Sequence, residues 1–68
     1  MKFITIPLYD RDNSINVKAF NTHYILTVNQ NGSDVWMKVL EQHPLKPDRY
    51  ISYRAAVPMD ELVAKLND

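Results

Sequence analysis

A chain of 68 residues holds one domain, and at 46% hydrophobic it is too apolar to be a disordered segment. Eight basic residues balance eight acidic ones, so nothing in the net charge draws the chain to nucleic acid or anionic lipid as a whole. There is no cysteine, which excludes disulfides and thiolate metal sites; at a size where one core supplies roughly 3–5 kcal/mol, efficient packing or self-association has to make up the difference.

Residues 2–8 alternate Ile4, Ile6 and Leu8 with Phe3, Thr5 and Pro7 and predict a first strand, which Pro7 ends or confines to a sheet edge because proline lacks a ladder donor. The polar run DRDNS, residues 10–14, predicts a turn, and residues 14–20 a second strand with Ile15, Val17 and Ala19 on one face, so the two strands form a hairpin. After a break at Asn21-Thr22 comes YILTVNQNGSDVWMKVL. Asn-Gly between two alternating runs is the strongest short hairpin signal. A loop at Asn31-Gly32 opposes Val28 to Val35, Leu26 to Met37 and Tyr24 to Val39, an apolar face, and leaves Ile25, Trp36, Lys38 and Leu40 on the other. EQHPLKPD, residues 41–48, reads as a proline-punctuated loop, and residues 49–56 as a fifth strand with Tyr50, Ser52 and Arg54 on one side and Ile51, Tyr53 and Ala55 on the other. Pro58 suits the first helical position, Asp60 and Glu61 suit the positive end of the helix dipole, and Met59, Leu62, Val63 and Leu66 follow helical spacing, with Glu61 and Lys65 placed to pair.

The expected fold is therefore α+β but mainly β: a curled antiparallel five-stranded sheet, two hairpins plus one strand, with a single C-terminal helix in one domain spanning residues 1–68. One short helix covers one face of a sheet. The second face, or an open strand edge, is left for another molecule.

Catalytic chemistry is hard to find. His23 and His43 have no cysteine or nearby acid at ligand spacing. Asp10, Asp12 and Ser14 imitate the start of a calcium loop, but the sixth position is Ile15 rather than Gly and the twelfth is Asn21 rather than Glu. The single glycine belongs to the hairpin, which leaves none for a nucleophile elbow or a phosphate-cradling loop. The chain reads as a non-enzyme with no cofactor, no metal and no small-molecule substrate. No apolar run approaches the roughly 20 residues that span a bilayer, and MKFITIPLYD is not a signal peptide, so the expected location is the cytoplasm.

The segments FNTHYILTV, DVWMKV and RYISYRAAVPMDELVAKL resemble the small FlbD-like family of bacterial proteins, in which an initial hairpin leads through an Asn-x-x-x-Ile segment to two strands and a short final helix. Here the Asn-to-Ile step is Asn21 to Ile25, and the strand-to-helix exit lies in residues 50–66; the Asn-Gly turn and the EQHPLKPD loop depart from the pattern. The same order resembles the β-rich core of the LytTR DNA-binding domain without its C-terminal part. The resemblance implies a small regulatory or accessory protein and brings no catalytic residues with it. The primary expectation is protein–protein contact, with a protein partner or with a second copy as a homodimer, through Ile25, Trp36, Lys38, Leu40 and Tyr53. The alternative is a nucleic-acid-binding regulator using Trp36, Lys38, Arg49, Tyr53 and Arg54 as an aromatic and cationic sheet surface.

Overall fold

Side-chain alternation builds the first hairpin. In a computed structural model of the protein, whose described residues are 2–68, β1 (Phe3–Tyr9) and β2 (Ile15–Asn21) pair without interruption from Phe3↔Asn21 to Tyr9↔Ile15. The turn closes through the Asp10 N–H donating to the Ser14 carbonyl (2.8 Å) and the Asn13 N–H donating to the Asp10 carbonyl (3.0 Å). Asn13 takes a left-handed φ of 66°, which asparagine tolerates. The acidic side chains are satisfied inside the turn. Asp12 accepts from the Ser14 hydroxyl (2.6 Å) and backbone N–H (3.1 Å), and Asp10 accepts from the Asn16 amide.

The Ser14 hydroxyl, and then its N–H, hold the Asp12 carboxyl below the usual carboxylate range. A depressed folded pKa means that this contribution is present above the ordinary carboxylate value and is lost as pH falls through the folded one. An NMR titration of Asp12 is expected to show a midpoint below that of the unfolded chain, raised by Ser14→Ala. A midpoint indifferent to that substitution would assign the shift to another cause.

A 3-10 turn, Thr22–Tyr24, follows, with the Asn21 side chain accepting the His23 N–H (3.0 Å). β3 (Ile25–Asn31) and β4 (Asp34–His43) then form the second hairpin, but with Gly32 and Ser33 as the central turn residues rather than Asn31 and Gly32. Gly32 has φ +62° while Ser33 is not in the positive-φ region, the arrangement of a II′ turn with glycine first. Pairing is thus shifted by two residues, to Val28↔Met37 and Gln30↔Val35, and a shift of two leaves every side chain on its expected face. A bulge between Ile25 and Thr27 then reverses the expectation for the start of β3: Ile25 opposes Val39 and packs against the core, whereas Leu26 is exposed.

The expected loop at residues 41–48 is mostly strand. β4 continues to His43, β5 (Lys46–Ala55) begins three residues later, and Arg49 lies opposite Glu41 in an ion pair (2.8 Å). A register irregularity between Glu41 and His43 accommodates the proline-rich turn.

The strand order is β2-β1-β5-β4-β3 and the sheet is open. β1 is neither an edge nor cut short at Pro7, contrary to expectation. The bonds at its ends, Thr22 N–H to the Lys2 carbonyl and Asp10 N–H to the Ser14 carbonyl, put the ladder to β2 on even-numbered residues. Pro7 therefore turns its missing donor toward β5, where its carbonyl accepts the Ala56 N–H (2.8 Å) and pairing is confined to Leu8↔Ala55. From there β1 and β5 diverge, and the sheet curls into a trough.

The trough holds the core: Ile6, Leu8, Phe20, Val35, Met37, Val39, Ala55 and Leu62 are buried. Among the described residues, these eight buried side chains make a small core at about 1.5–3 kcal/mol for each large apolar one. The helix α1 (Met59–Asn67) packs against both β1 and β3 and so bridges the trough, with Leu62 fully buried beneath it. Pro58 precedes its first turn and accepts the Leu62 N–H (3.0 Å). The Lys65 ammonium is directed to the Thr5 carbonyl (3.2 Å) rather than to Glu61, tying the helix to β1.

Candidate functional site

With α1 in the trough, the outer face of the sheet has no covering element among the described residues. Strand register assigns its side chains. β1 and β2 contribute Phe3, Thr5, Pro7 and Tyr9 with Ile15, Val17 and Ala19, while β4 and β5 contribute Trp36, Lys38 and Leu40 with Tyr50, Ser52 and Arg54.

The two halves of this face differ. On the β4–β5 half, Trp36 lies opposite Arg54 and is 38% exposed. The Arg54 guanidinium sits 4.4 Å from the Tyr9 ring centre and donates to Asn13 Oδ1 (2.9 Å), while the Lys38 ammonium lies 5.1 Å from the Tyr50 ring. The β1–β2 half carries no charged side chain. Phe3, Ile15 and Val17 are 60%, 58% and 67% exposed, beside Ala19 and Pro7.

The sheet brings together Trp36, Lys38, Leu40 and Arg54 and separates the other candidates from them. Ile25 is drawn to the core by the bulge. Tyr53 opposes Met37 on the inner face, where its ring meets Phe20 edge-on at 5.2 Å and its hydroxyl accepts from the Lys18 ammonium (3.0 Å). Strand alternation forces this, because Tyr53 neighbours Arg54 in the chain and so cannot share its face. Arg49 is also of inner-face parity, at the far end of β5, and is engaged by Glu41. Among the exposed residues that the candidate set lacks are Phe3, Ile15 and Val17 of the first hairpin. Their signal was the parity of the first hairpin: closing residues 10–14 as the turn pairs Tyr9 with Ile15, which places Ile15 and Val17 opposite the Ile4-Ile6-Leu8 face.

β2 is also an end strand, with no strand beyond it among the described residues. Since its even residues bond β1, the N–H and carbonyl groups of Ile15, Val17 and Ala19 point outward. Six of the eight cations already have intramolecular partners. Lys18, Lys38 and Arg54 lie over aromatic rings, Arg49 pairs with Glu41, and Lys2 and Lys65 donate to backbone carbonyls.

Among the described residues, no three His, Asp or Glu side chains gather into a metal-binding group. His23 stands against the Tyr24 ring, and His43 Nδ1 accepts the Leu45 N–H (3.1 Å). Among the described residues, no helix is long and apolar enough to cross a membrane. Comparison with family models, with curated proteins and with solved structures yields no match to this chain.

Proposed function

We propose that this is a cytoplasmic, non-enzymatic accessory or regulatory protein that acts by protein–protein contact, and that the β1–β2 hairpin supplies the contact. One observation carries the reading: an uncharged outer face that runs along the hairpin from Phe3 at one end to Val17 and Ile15 at the other adjoins a row of outward backbone donors and acceptors on an end strand. Apolar surface gains free energy in proportion to the area a partner removes from water, at about 25 cal/mol per Å², and an end strand offers directed hydrogen bonds that fix how the partner lies. Trp36 and Leu40 extend the same outer face toward β4. The FlbD-like resemblance agrees with a small regulatory role.

The nucleic-acid reading, suggested by the LytTR resemblance, is supported less well. Phosphate neutralisation supplies most non-specific affinity and needs cations directed to solvent, whereas most of the cations here are engaged within the protomer.

The test compares wild type with a Phe3→Ser/Ile15→Ser variant of unchanged far-UV circular dichroism. Capture of proteins from the source cell and sedimentation across protein concentration are both expected to lose wild-type associations in the variant. Identical behaviour in both, or a salt-dependent DNA or RNA mobility shift that survives the substitutions, would contradict the reading.

A further inference from the structure

We propose that the occupant of the β2 edge is a second copy of this chain, added antiparallel about a two-fold axis at Val17 so that two five-stranded sheets become one. The inference rests on the protein-contact reading above and specifies its partner and register.

The two ends of the sheet are built differently. β3 is interrupted by the bulge near Leu26, carries Thr27, Asn29, Gln30 and Asn31, and has α1 packed against it. Bulges, polar side chains and a covering helix are the usual devices that stop an end strand from pairing further. β2 has none of them. It is seven residues in regular register, without proline or bulge. Its single charge, Lys18, is turned to the inner face and held there by the Tyr53 hydroxyl and ring.

Charge and parity then select the partner and the register. A strand that opposes a copy of itself must avoid placing like charges face to face. Centring the pair on Lys18 would set Lys18 against Lys18 in a non-hydrogen-bonded pair, where Cα atoms approach to about 4.5 Å. Centring it on Asn16 would leave Ala19 and beyond unpaired. Centring it on Val17 opposes Val17 to Val17 and Ile15 to Ala19, all on the apolar outer face, and these are the residues whose backbone groups point outward. On the inner face, Lys18 of one copy then meets Asn16 of the other, whose amide donates to the Asp10 carboxylate, so a cation approaches a group backed by an anion. In this register the strand is self-complementary in hydrogen bonding, shape and charge, and it keeps Ile15 paired within β2, as centring on Ala19 would not.

A residue on a two-fold axis faces itself, and the experiment uses that property. Val17 is 67% exposed, so Val17→Lys and Val17→Glu are both compatible with the folded protomer, which thermal melts monitored by circular dichroism verify. Sedimentation of wild type is expected to show a reversible monomer–dimer equilibrium. Each variant alone is expected to raise the dimer Kd by at least about tenfold through like-charge apposition. Their equimolar mixture is expected to recover a 1:1 dimer. Wild type that stays monomeric up to submillimolar concentration would overturn the second-copy inference, while the capture comparison under the proposed function decides the broader reading separately. Dimers that persist in the single variants, or a mixture that fails to recombine, would also overturn the edge register centred on Val17.

Discussion

Leu62→Ala is expected to lower the free energy of unfolding by about 2–5 kcal/mol. Leu62 is fully buried and lies in the middle of α1, where the helix bridges from β1 to β3 across the trough. Truncation opens a cavity between elements with little freedom to collapse, because strands flank it on both sides. A domain of this size commands roughly 3–5 kcal/mol from its core, so the variant is expected to be substantially unfolded at room temperature. Urea titration followed by far-UV circular dichroism measures the change. Val63→Ala, one position along and 37% exposed, is the control and is expected to cost less than about 1 kcal/mol. A Leu62→Ala midpoint matching the control would mean that α1 does not seal the trough as described.

Phe20→Ala is expected to cost about 3–5 kcal/mol, and unevenly across the molecule. The first hairpin meets the rest of the sheet through a ladder limited to Leu8↔Ala55 and the Ala56–Pro7 bond. Side chains therefore hold it in place, and Phe20 is the largest of them: it is buried, edge-on to Tyr53, and lies with Tyr53 beneath the Lys18 ammonium. Such an aromatic pair adds about 0.5–1.5 kcal/mol beyond area burial. Native-state hydrogen exchange is expected to show β1 and β2 amides losing protection well before those of β4, because β4 keeps both neighbours, β3 and β5. Equal loss across all strands would show that the hairpin is not docked chiefly through this cluster.

Much of the fold was legible because side-chain parity is robust to error. The second hairpin was placed two residues out of register, since Gly32 takes the first central position of its turn rather than the second, yet the faces of Val28, Val35, Met37 and Val39 came out as expected because the error was even. The bulge at Leu26 has no local signature in ILTV, and one inserted residue was enough to exchange Ile25 and Leu26. Prolines at 44 and 47 suggested a loop, but a two-residue turn and a register irregularity accommodate them while Glu41 and Arg49 continue the ladder. The placement of β1 beside β5 depends on a long-range contact between Leu8 and Ala55 that no local pattern encodes.

The candidate surface was legible in principle and only partly identified. An uncovered sheet face follows from counting one helix against one sheet, and Trp36, Lys38, Leu40 and Arg54 do lie on that face. Tyr53 was grouped with Trp36 and Arg54 by chemical type although alternation places it on the other side. The more apolar half, around Ile15 and Val17, depended on carrying parity through the first turn to see which face of β2 shares a side with Ile6 and which does not.

The outer edge of β2 as a contact surface is tested most directly by amide hydrogen exchange of that strand, read residue by residue at low and high protein concentration. In dilute solution Asn16, Lys18 and Phe20, bonded to β1, are expected to be protected, while Ile15, Val17 and Ala19 exchange fast; at high concentration the second set is expected to slow toward the first. Odd-numbered amides already protected in the dilute protomer, or equally fast at every concentration, would contradict both the open edge and its pairing with a second copy.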